Sequence, residues 1–361
     1  MKELALAGNP NSGKTSLFNL LTGSSQHVGN WPGVTVEKKS GLFRKNKDII
    51  IQDLPGIYSL SPYTSEEVIS RNYLLSGNAD GILDVVDATN LERNLYLSLQ
   101  LIETGIPVVL ALNMSDVVEK QGKWIDTTKL SYQLGVPVVA TSALKKTGID
   151  QVMQQVLREM ERTDETLYPV YDSHFEAALS EIIRILGNAV PQKQARFYAI
   201  KLFERDKELS EQLVLSDFQK AEIEDAIRIT EEIYTEDAET IVVNARYEFI
   251  ESAVKMVLQA DVTKLSLSDK IDRIVTNRYL ALPIFALVMW LVYFLSIQTI
   301  GTMGTDWTND ILFGEWIPNG IKSLLEHLAV SDWLQSLIVD GIVAGCGAVL
   351  GFVPQIFVLF V

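Results

Sequence analysis

The sequence predicts an α/β domain with a mostly parallel sheet and helices on both faces, then a small all-α domain, then the start of an α-helical transmembrane domain. Three observations carry that reading. Up to about Asp150, short apolar runs (Leu4 to Ala7, Ile49 to Ile51, Ile82 to Val86, Val108 to Leu112, Val136 to Ala140) alternate with helix-like stretches, as strands alternate with crossover helices. From about Thr163 to Val262 the strands vanish, and segments such as FEAALSEIIRILGN carry apolar residues at helical spacing among charges, which predicts a helical bundle with solvated acidic faces. After Arg278 no charge occurs until Asp306, and YLALPIFALVMWLVYFLSI supplies the roughly twenty apolar residues that cross a bilayer. The expected boundaries are 1–162, 163–264 and 265–361, with spans at about 279–300 and 334–361.

The N-terminal MKELALAGNP has too short an apolar run for a signal peptide and reads as the first strand. A net charge of −15 over 361 residues repels a phosphate backbone, so a nucleic-acid partner is not expected. The single cysteine, Cys346, rules out an internal disulfide and a Cys-rich zinc site, and it suits a cytoplasmic location for the soluble part.

Lys264, Lys270, Arg273 and Arg278 precede the first span, whereas Gly301 to Val339 holds only Lys322 among several acids. The positive-inside rule therefore places the N-terminal domains in the cytoplasm. An amphipathic loop helix is expected around Ile321 to Leu328 on the far side. A second uncharged run, GIVAGCGAVLGFVPQIFVLFV, reaches the last residue, so the chain reads as part of a longer polytopic protein. Gly341, Gly345, Gly347, Gly351 and Pro354 interrupt this run, either because backbone carbonyls line a pathway or because helices pack closely there. Cys346 is a soft sulfur that can ligate Fe(II), or it is simple packing among glycines.

Gly8-Asn9-Pro10-Asn11-Ser12-Gly13-Lys14-Thr15-Ser16 follows the first strand and opens a helix. That is the strand, glycine loop and helix a phosphate cradle requires, with Lys14 neutralising the β- and γ-phosphates and Thr15 ligating Mg²⁺. Asp53-Leu54-Pro55-Gly56 closes the strand IIIQD, bringing a carboxylate to the Mg²⁺ shell and a glycine N–H to the γ-phosphate. Asn113-Met114-Ser115-Asp116 closes the strand VVLALN, and Asp116 can accept from the N1 and N2 donors of guanine, a pair adenine lacks. Ser142-Ala143-Leu144 can present a backbone N–H to guanine O6. Four motifs in this order predict a P-loop GTPase domain binding GTP and GDP. Met114 stands where lysine is usual, which removes some packing on the base and the P-loop.

Thr35, in Gly33-Val34-Thr35 between the first helix and the next strand, is the candidate switch threonine that reaches Mg²⁺. Ile57 follows Gly56, so the glutamine that orients water in many such enzymes is absent. Asn11 either shapes the loop or supplies one oxygen to a K⁺ ion against the phosphates, with carbonyls of the Gly29-Asn30-Trp31 loop supplying others. Glu66 and Glu67 are candidate switch residues, or more simply a solvated helix start.

Taken together, the chain resembles one family, the bacterial ferrous iron transport protein B (FeoB) family. The resemblance rests on GNPNSGKTSLFN (Gly8 to Asn19), VGNWPGVTVE (Val28 to Glu37), DLPGIYSL (Asp53 to Leu60), DVVDATNLERNL (Asp84 to Leu95), ALNMSD (Ala111 to Asp116), TSALKKTG (Thr141 to Gly148) and GAVLGFVPQI (Gly347 to Ile356). It implies a cytosolic GTPase with K⁺-stimulated hydrolysis, a spacer domain like a guanine-nucleotide-dissociation inhibitor, and a polytopic Fe²⁺ transport domain in the bacterial plasma membrane. It also implies small accessory Feo proteins and a homo-oligomer as partners. The rival reading is a membrane-tethered signalling GTPase that conducts nothing.

Overall fold

The computed structural model describes residues 1–23, 26–31, 34–162, 167–260, 274–277 and 280–360. It separates into two compact units, Met1–Lys264 and Leu265–Val361. The expected boundary near residue 163, the boundary at 264, and the basic residues Lys264, Lys270, Arg273 and Arg278 lie outside the described residues.

In the first unit the strands are β1 (Lys2–Gly8), β2 (Gln26–Asn30), β3 (Glu37–Phe43), β4 (Asn46–Asp53), β5 (Gly81–Asp87), β6 (Val108–Asn113), β7 (Lys123–Ile125), β8 (Val138–Ala140) and β9 (Leu258–Ala260). Seven of them form one sheet in the order β2-β3-β4-β1-β5-β6-β8. β4, β1, β5, β6 and β8 run parallel, and β2 and β3 add an antiparallel edge.

Alternation along each strand divides the core in two. On β1, Leu4 and Leu6 pack with Leu17, Phe18 and Leu21 of α1 (Lys14–Thr22) and with Val152, Met153 and Val156 of α6 (Ile149–Glu159). Ala5 and Ala7 face the opposite cluster, under Leu74 of α2 (Ser65–Leu75), Leu95 and Leu99 of α3 (Leu91–Glu103), and Leu130 and Leu134 of α5 (Thr127–Leu134). The remaining helix of this half is α4 (Ser115–Lys120).

The helices α7 (Ser173–Leu186), α8 (Ala195–Phe203), α9 (Lys207–Gln212), α10 (Asp217–Tyr234) and α11 (Ala238–Val257) form the bundle. Its core contains Phe175, Ile182, Phe203, Ile227 and Val242. The far end of α11 leaves that core, because Ile250, Val254 and Val257 join the sheet-side cluster. One expectation is corrected here: strands do not vanish after residue 163. Leu258–Ala260 pairs antiparallel with Lys123–Ile125, since α11 ends against the first half of the unit and its next three residues complete an exposed edge.

Buried charges also join the two halves. Arg246 Nη2 lies 2.8 Å from Glu103 Oε2, both side chains being essentially inaccessible, and Tyr171 Oη donates to Glu103 at 2.5 Å. Arg71 of α2 is equally buried and pairs with Asp206 at 2.9 Å.

Among the described residues the second unit contains two helices long and apolar enough to cross a membrane, Ala281–His327 and Asp332–Phe360. The helix expected around Ile321 to Leu328 is present at Ile317–His327, but it continues the first long helix, which does not end near residue 300 as expected. The first helix continues through Gly301, Gly304 and Gly314, with π-helical stretches at Phe294–Thr299 and Trp307–Trp316. Glycine weakens a helix without ending it, and no proline occurs between Pro283 and Pro318. The break falls at Leu328–Ser331, where Ala329 takes φ +51°. Close packing accounts for Gly347 and Gly351, where a Cβ would meet Phe313 and Asn309, but not for Gly345, where it would meet nothing within 4 Å. A Cβ on Gly347 would lie 2.9 Å from Cβ of Phe313, so only glycine permits that approach.

Candidate nucleotide-binding site

The parallel strands end in a row, and the loops after β1, β4, β6 and β8 cluster at those carboxyl ends, where open α/β sheets bind ligands. The loop from Gly8 to Gly13 leads into α1, whose first-turn N–H groups have no helical acceptors. Gly13 caps that helix at φ +90°, and a Cβ there would lie 2.2 Å from Nδ2 of Asn113. Asn11 holds φ +66° and is exposed. Asn9 and Ser12 are buried, yet Asn9 Nδ2 and Ser12 Oγ have no hydrogen-bond partner among the described residues. Buried polar atoms without partners are costly, and a phosphate-bearing ligand in this loop would offer them oxygens. Thr15 and Ser16 are exposed on the first turn of α1.

Lys14 Nζ sits 2.5 Å from Asp53 Oδ1 and 2.5 Å from the Leu54 carbonyl. Burial pushes the Asp53 carboxyl above its ordinary range, and Lys14 opposes that shift. Gly56 lies against the first loop, since a Cβ on it would be 3.4 Å from Pro10 Cα. The Ile57 N–H reaches the Gly8 carbonyl at 3.4 Å, and the Ile57 side chain is in the core.

Asn113 Nδ2 donates to the Ser12 carbonyl at 2.8 Å, and its Oδ1 accepts the Ala143 N–H at 2.9 Å. One side chain therefore joins three motifs. Asp116 is mostly buried, with Lys145 Nζ 3.4 Å from Oδ2. The neighbouring Ser142 hydroxyl, with Lys145, holds its carboxyl below the usual range. Ser142 is buried and Leu144 is exposed. Met114, at φ +61°, brings its Cε within 3.9 Å of where a Gly13 Cβ would stand.

The region expected to hold the switch threonine is arranged differently. Gly29 and Asn30 belong to β2, in register with Lys38 and Glu37, and the Trp31 carbonyl accepts the Val34 N–H at 3.3 Å. The expected Gly29-Asn30-Trp31 loop is thus a strand end, because its backbone groups are used by the β2–β3 ladder. The Trp31 ring is buried edge-on against Tyr73 at 5.6 Å, with Lys38 Nζ 4.8 Å above it. Val34 and Thr35 are exposed, and no described bond brings Thr35 to Thr15 or Asp53. Gly33 lies outside the described residues.

Glu67 is not a solvated helix-start residue. It is buried, closes a capping box with Thr64, and accepts from Ser59 Oγ at 3.2 Å. Glu66 pairs with the Ser65 hydroxyl at 2.9 Å. Cys346 is exposed, and among the described residues no group of three or more His, Cys, Asp or Glu stands together to hold a metal.

Sequence reasoning missed Gln100, whose Oε1 accepts the Leu60 N–H at 2.5 Å where both residues are fully buried. The available signal was that Asn94, Ser98 and Gln100 alternate with Leu95, Leu97, Leu99 and Leu101 along α3, so the helix has no continuous polar face and must bury some polar groups, which it does only to bond something.

Two family models match the chain, one described as ferrous iron transport protein B over residues 2–156 and one as the FeoB cytosolic helical domain over 171–259. The Fe(2+) transporter FeoB of Staphylococcus aureus strain COL is 36% identical over 368 residues, covering 100% of this chain and 54% of that protein. The Fe(2+) transporter FeoB of Escherichia coli K12 is 36% identical over 373 residues, covering 100% of this chain and 47% of that protein. The chain thus spans about half the length of the curated relatives it matches. A GDP-bound mutant of the S. thermophilus FeoB G-domain is 65% identical with a TM-score of 0.71, covering 72% of this chain and 100% of that one. The mGMPPNP-bound S. thermophilus NFeoB is 64% identical with a TM-score of 0.65, covering 74% and 98%.

Proposed function

We propose, from the premise that this chain belongs to the FeoB family of ferrous iron transport proteins, that it is the nucleotide-driven part of an Fe²⁺ importer. Its first domain is a GTPase that converts GTP to GDP and phosphate. The observation that carries the nucleotide reading is the pair of hydrogen bonds that Asn113 makes, donating to the Ser12 carbonyl and accepting from the Ala143 N–H, which gathers the phosphate loop and the two base-recognition motifs into one site.

In this reading Gly8 to Ser16 enclose the phosphates, Lys14 leaves Asp53 to neutralise the β- and γ-oxygens, and Asp116 accepts the N1 and N2 hydrogens of guanine. Gly56, beside Pro10, donates its N–H to the γ-phosphate, and Val34 and Thr35 close from the exposed side with Gly33. Water attacks the γ-phosphorus, the bond to the β-phosphate oxygen breaks, and GDP and phosphate leave. The hydroxyl of Thr15 and the carboxylate of Asp53 are hard oxygen donors that suit Mg²⁺, with Thr35 as a third, and the ion would draw charge from the phosphates. Asn11, exposed in the loop, suits K⁺, which would supply the positive charge an arginine finger gives elsewhere. Gly29 and Trp31 would join Asn11 only if the end of β2 released its pairing.

The transported ion, the plasma-membrane location, the cytoplasmic side of the N-terminal domains, accessory proteins and oligomeric state belong to the whole protein and are proposed by kinship. The test is radiolabelled Fe²⁺ uptake in cells lacking other ferrous importers, comparing the whole protein with its Lys14→Ala variant at matched membrane levels. Uptake that depends on Lys14 is expected. No uptake by well-expressed wild type with GTPase activity intact would favour a tethered signalling GTPase.

A further inference from the structure

The segment that carries Gly56 is held by hydrogen bonds at both ends, with Gly56 itself exposed between them. At its start, Asp53 pairs with Lys14, and the Leu54 N–H donates to the Leu6 carbonyl at 3.0 Å. In its middle Gly56 is exposed, and its neighbour Ile57 has its side chain in the core but reaches the P-loop only by a long 3.4 Å main-chain bond to Gly8, while Ser59 Oγ donates to Glu67 at 3.2 Å. At its end, the Leu60 N–H donates to Gln100 Oε1 at 2.5 Å, with both residues at 0% exposure.

Gln100 stands on α3, which its other buried polar residues fix on both sides. Ser98 donates to Asp84 at 2.5 Å, and Glu103 takes Arg246 at 2.8 Å. The second amide atom of Gln100, Nε2, has no partner among the described residues. The side chain therefore completes no network of its own, and what it does is accept one buried main-chain N–H that would otherwise be orphaned.

We infer that Gln100 is a positioning residue for GTP hydrolysis: by holding the Leu60 amide it fixes the far end of the loop, so that Gly56 meets the γ-phosphate in one place. The inference rests on the reading of Gly56 given above. No described bond links Gln100 to the phosphate or base motifs, so GDP binding through Gly8 to Thr15 and Asn113 to Asp116 is expected not to depend on it. Hydrolysis does, because loosening one anchor spreads the positions of the Gly56 N–H.

The test uses the whole chain with Gln100→Met, which keeps the length but has no acceptor oxygen, and Gln100→Glu, which keeps an acceptor oxygen in place of the amide and is compared with wild type at about pH 5, where its buried carboxyl is protonated. Gln100→Met is expected to lower kcat about tenfold or more with GDP affinity within about twofold, and Gln100→Glu to recover most of the loss. Hydrogen exchange at the Leu60 amide is expected to be slow in wild type and faster in Gln100→Met. Wild-type kcat in folded Gln100→Met would overturn the inference, as would an equal loss in both variants. If Gln100→Met does not fold, exchange at Leu60 in wild type as fast as in exposed loops would overturn it. Wild-type protein without GTPase activity would sink the reading of Gly56 instead, while the exchange at Leu60 still reports on the anchor.

Discussion

One ammonium group, Lys14 Nζ, lies 2.5 Å from Asp53 Oδ1 and 2.5 Å from the Leu54 carbonyl, joining the first turn of α1 to the end of β4. Lys14→Ala is expected to lower kcat/KM for GTP by about a hundredfold or more, since the phosphates lose their fixed cation. It should also change the pH dependence of stability. The Asp53 carboxyl is already raised by burial, and Lys14 restrains that rise. A carboxyl whose folded pKa is raised contributes stability that is lost as pH rises through that value. Removing Lys14 raises it further, so unfolding curves should show Lys14→Ala more destabilised at pH 8 than at pH 5. Equal destabilisation at both would mean Asp53 does not feel Lys14.

Base selectivity should follow Asp116. Its carboxylate, mostly buried beside Ser142 and Lys145, can accept two hydrogens from guanine. Asp116→Asn presents one acceptor and one donor, which fits xanthine, where a carbonyl replaces the amino group. GTP affinity is expected to fall by about a hundredfold or more, and xanthosine triphosphate to become the better substrate. Competition binding with the two nucleotides checks this, and an unchanged preference for GTP would assign base recognition elsewhere.

Potassium dependence tests Asn11. Hydrolysis by wild type should be faster in K⁺ than in Na⁺ at equal ionic strength, by about tenfold or more, and Asn11→Ala should remove the difference while GDP binding persists. Equal rates in the two salts for wild type would leave Asn11 as a loop-shaping residue, consistent with its φ of +66°.

The parts of this molecule legible in sequence were those governed by local pattern. The apolar runs that became β1, β4, β5 and β6 needed only continuous apolar stretches between helix-like segments, and the P-loop, Asp53, Asn113 and Asp116 fell at or just after strand ends because that is where parallel sheets display loops. What escaped depends on distant partners. Gly29 and Asn30 read as loop, yet they pair with β3, and nothing local reveals whether a glycine-containing run will find a neighbouring strand. Leu258–Ala260 became a strand only because Lys123–Ile125 offered an edge. Glu67 read as solvated because charge is usually exposed, but its capping box and Ser59 satisfy it in a buried place. Gln100 and Glu103 were silent for the same reason: their partners Leu60 and Arg246 lie 40 and 143 residues away.

The last expectation concerns Asp84, placed on β5 between Ala7 of β1 and Leu110 of β6, beneath α3. It is 1% exposed, and its described partner is Ser98 Oγ at 2.5 Å. Burial pushes its carboxyl up to about 7, and the Ser98 hydroxyl opposes that shift. In the unfolded chain it ionises near 3.9, so between about pH 4 and 7 the folded form holds a proton that the unfolded form has released. Stability from this group is therefore complete below pH 4 and lost as pH rises through 7. Asp84→Asn cannot ionise and can still accept from Ser98, so at pH 8 it is expected to exceed wild type by about 2–4 kcal/mol, with little difference at pH 4. Ser98→Ala should move the other way, costing more at pH 8 than at pH 4, because the buried carboxylate then loses its donor. Denaturant unfolding of the three proteins at both pH values decides it: an Asp84→Asn gain equal at pH 4 and pH 8 would mean that packing, not the charge, sets the cost of this aspartate.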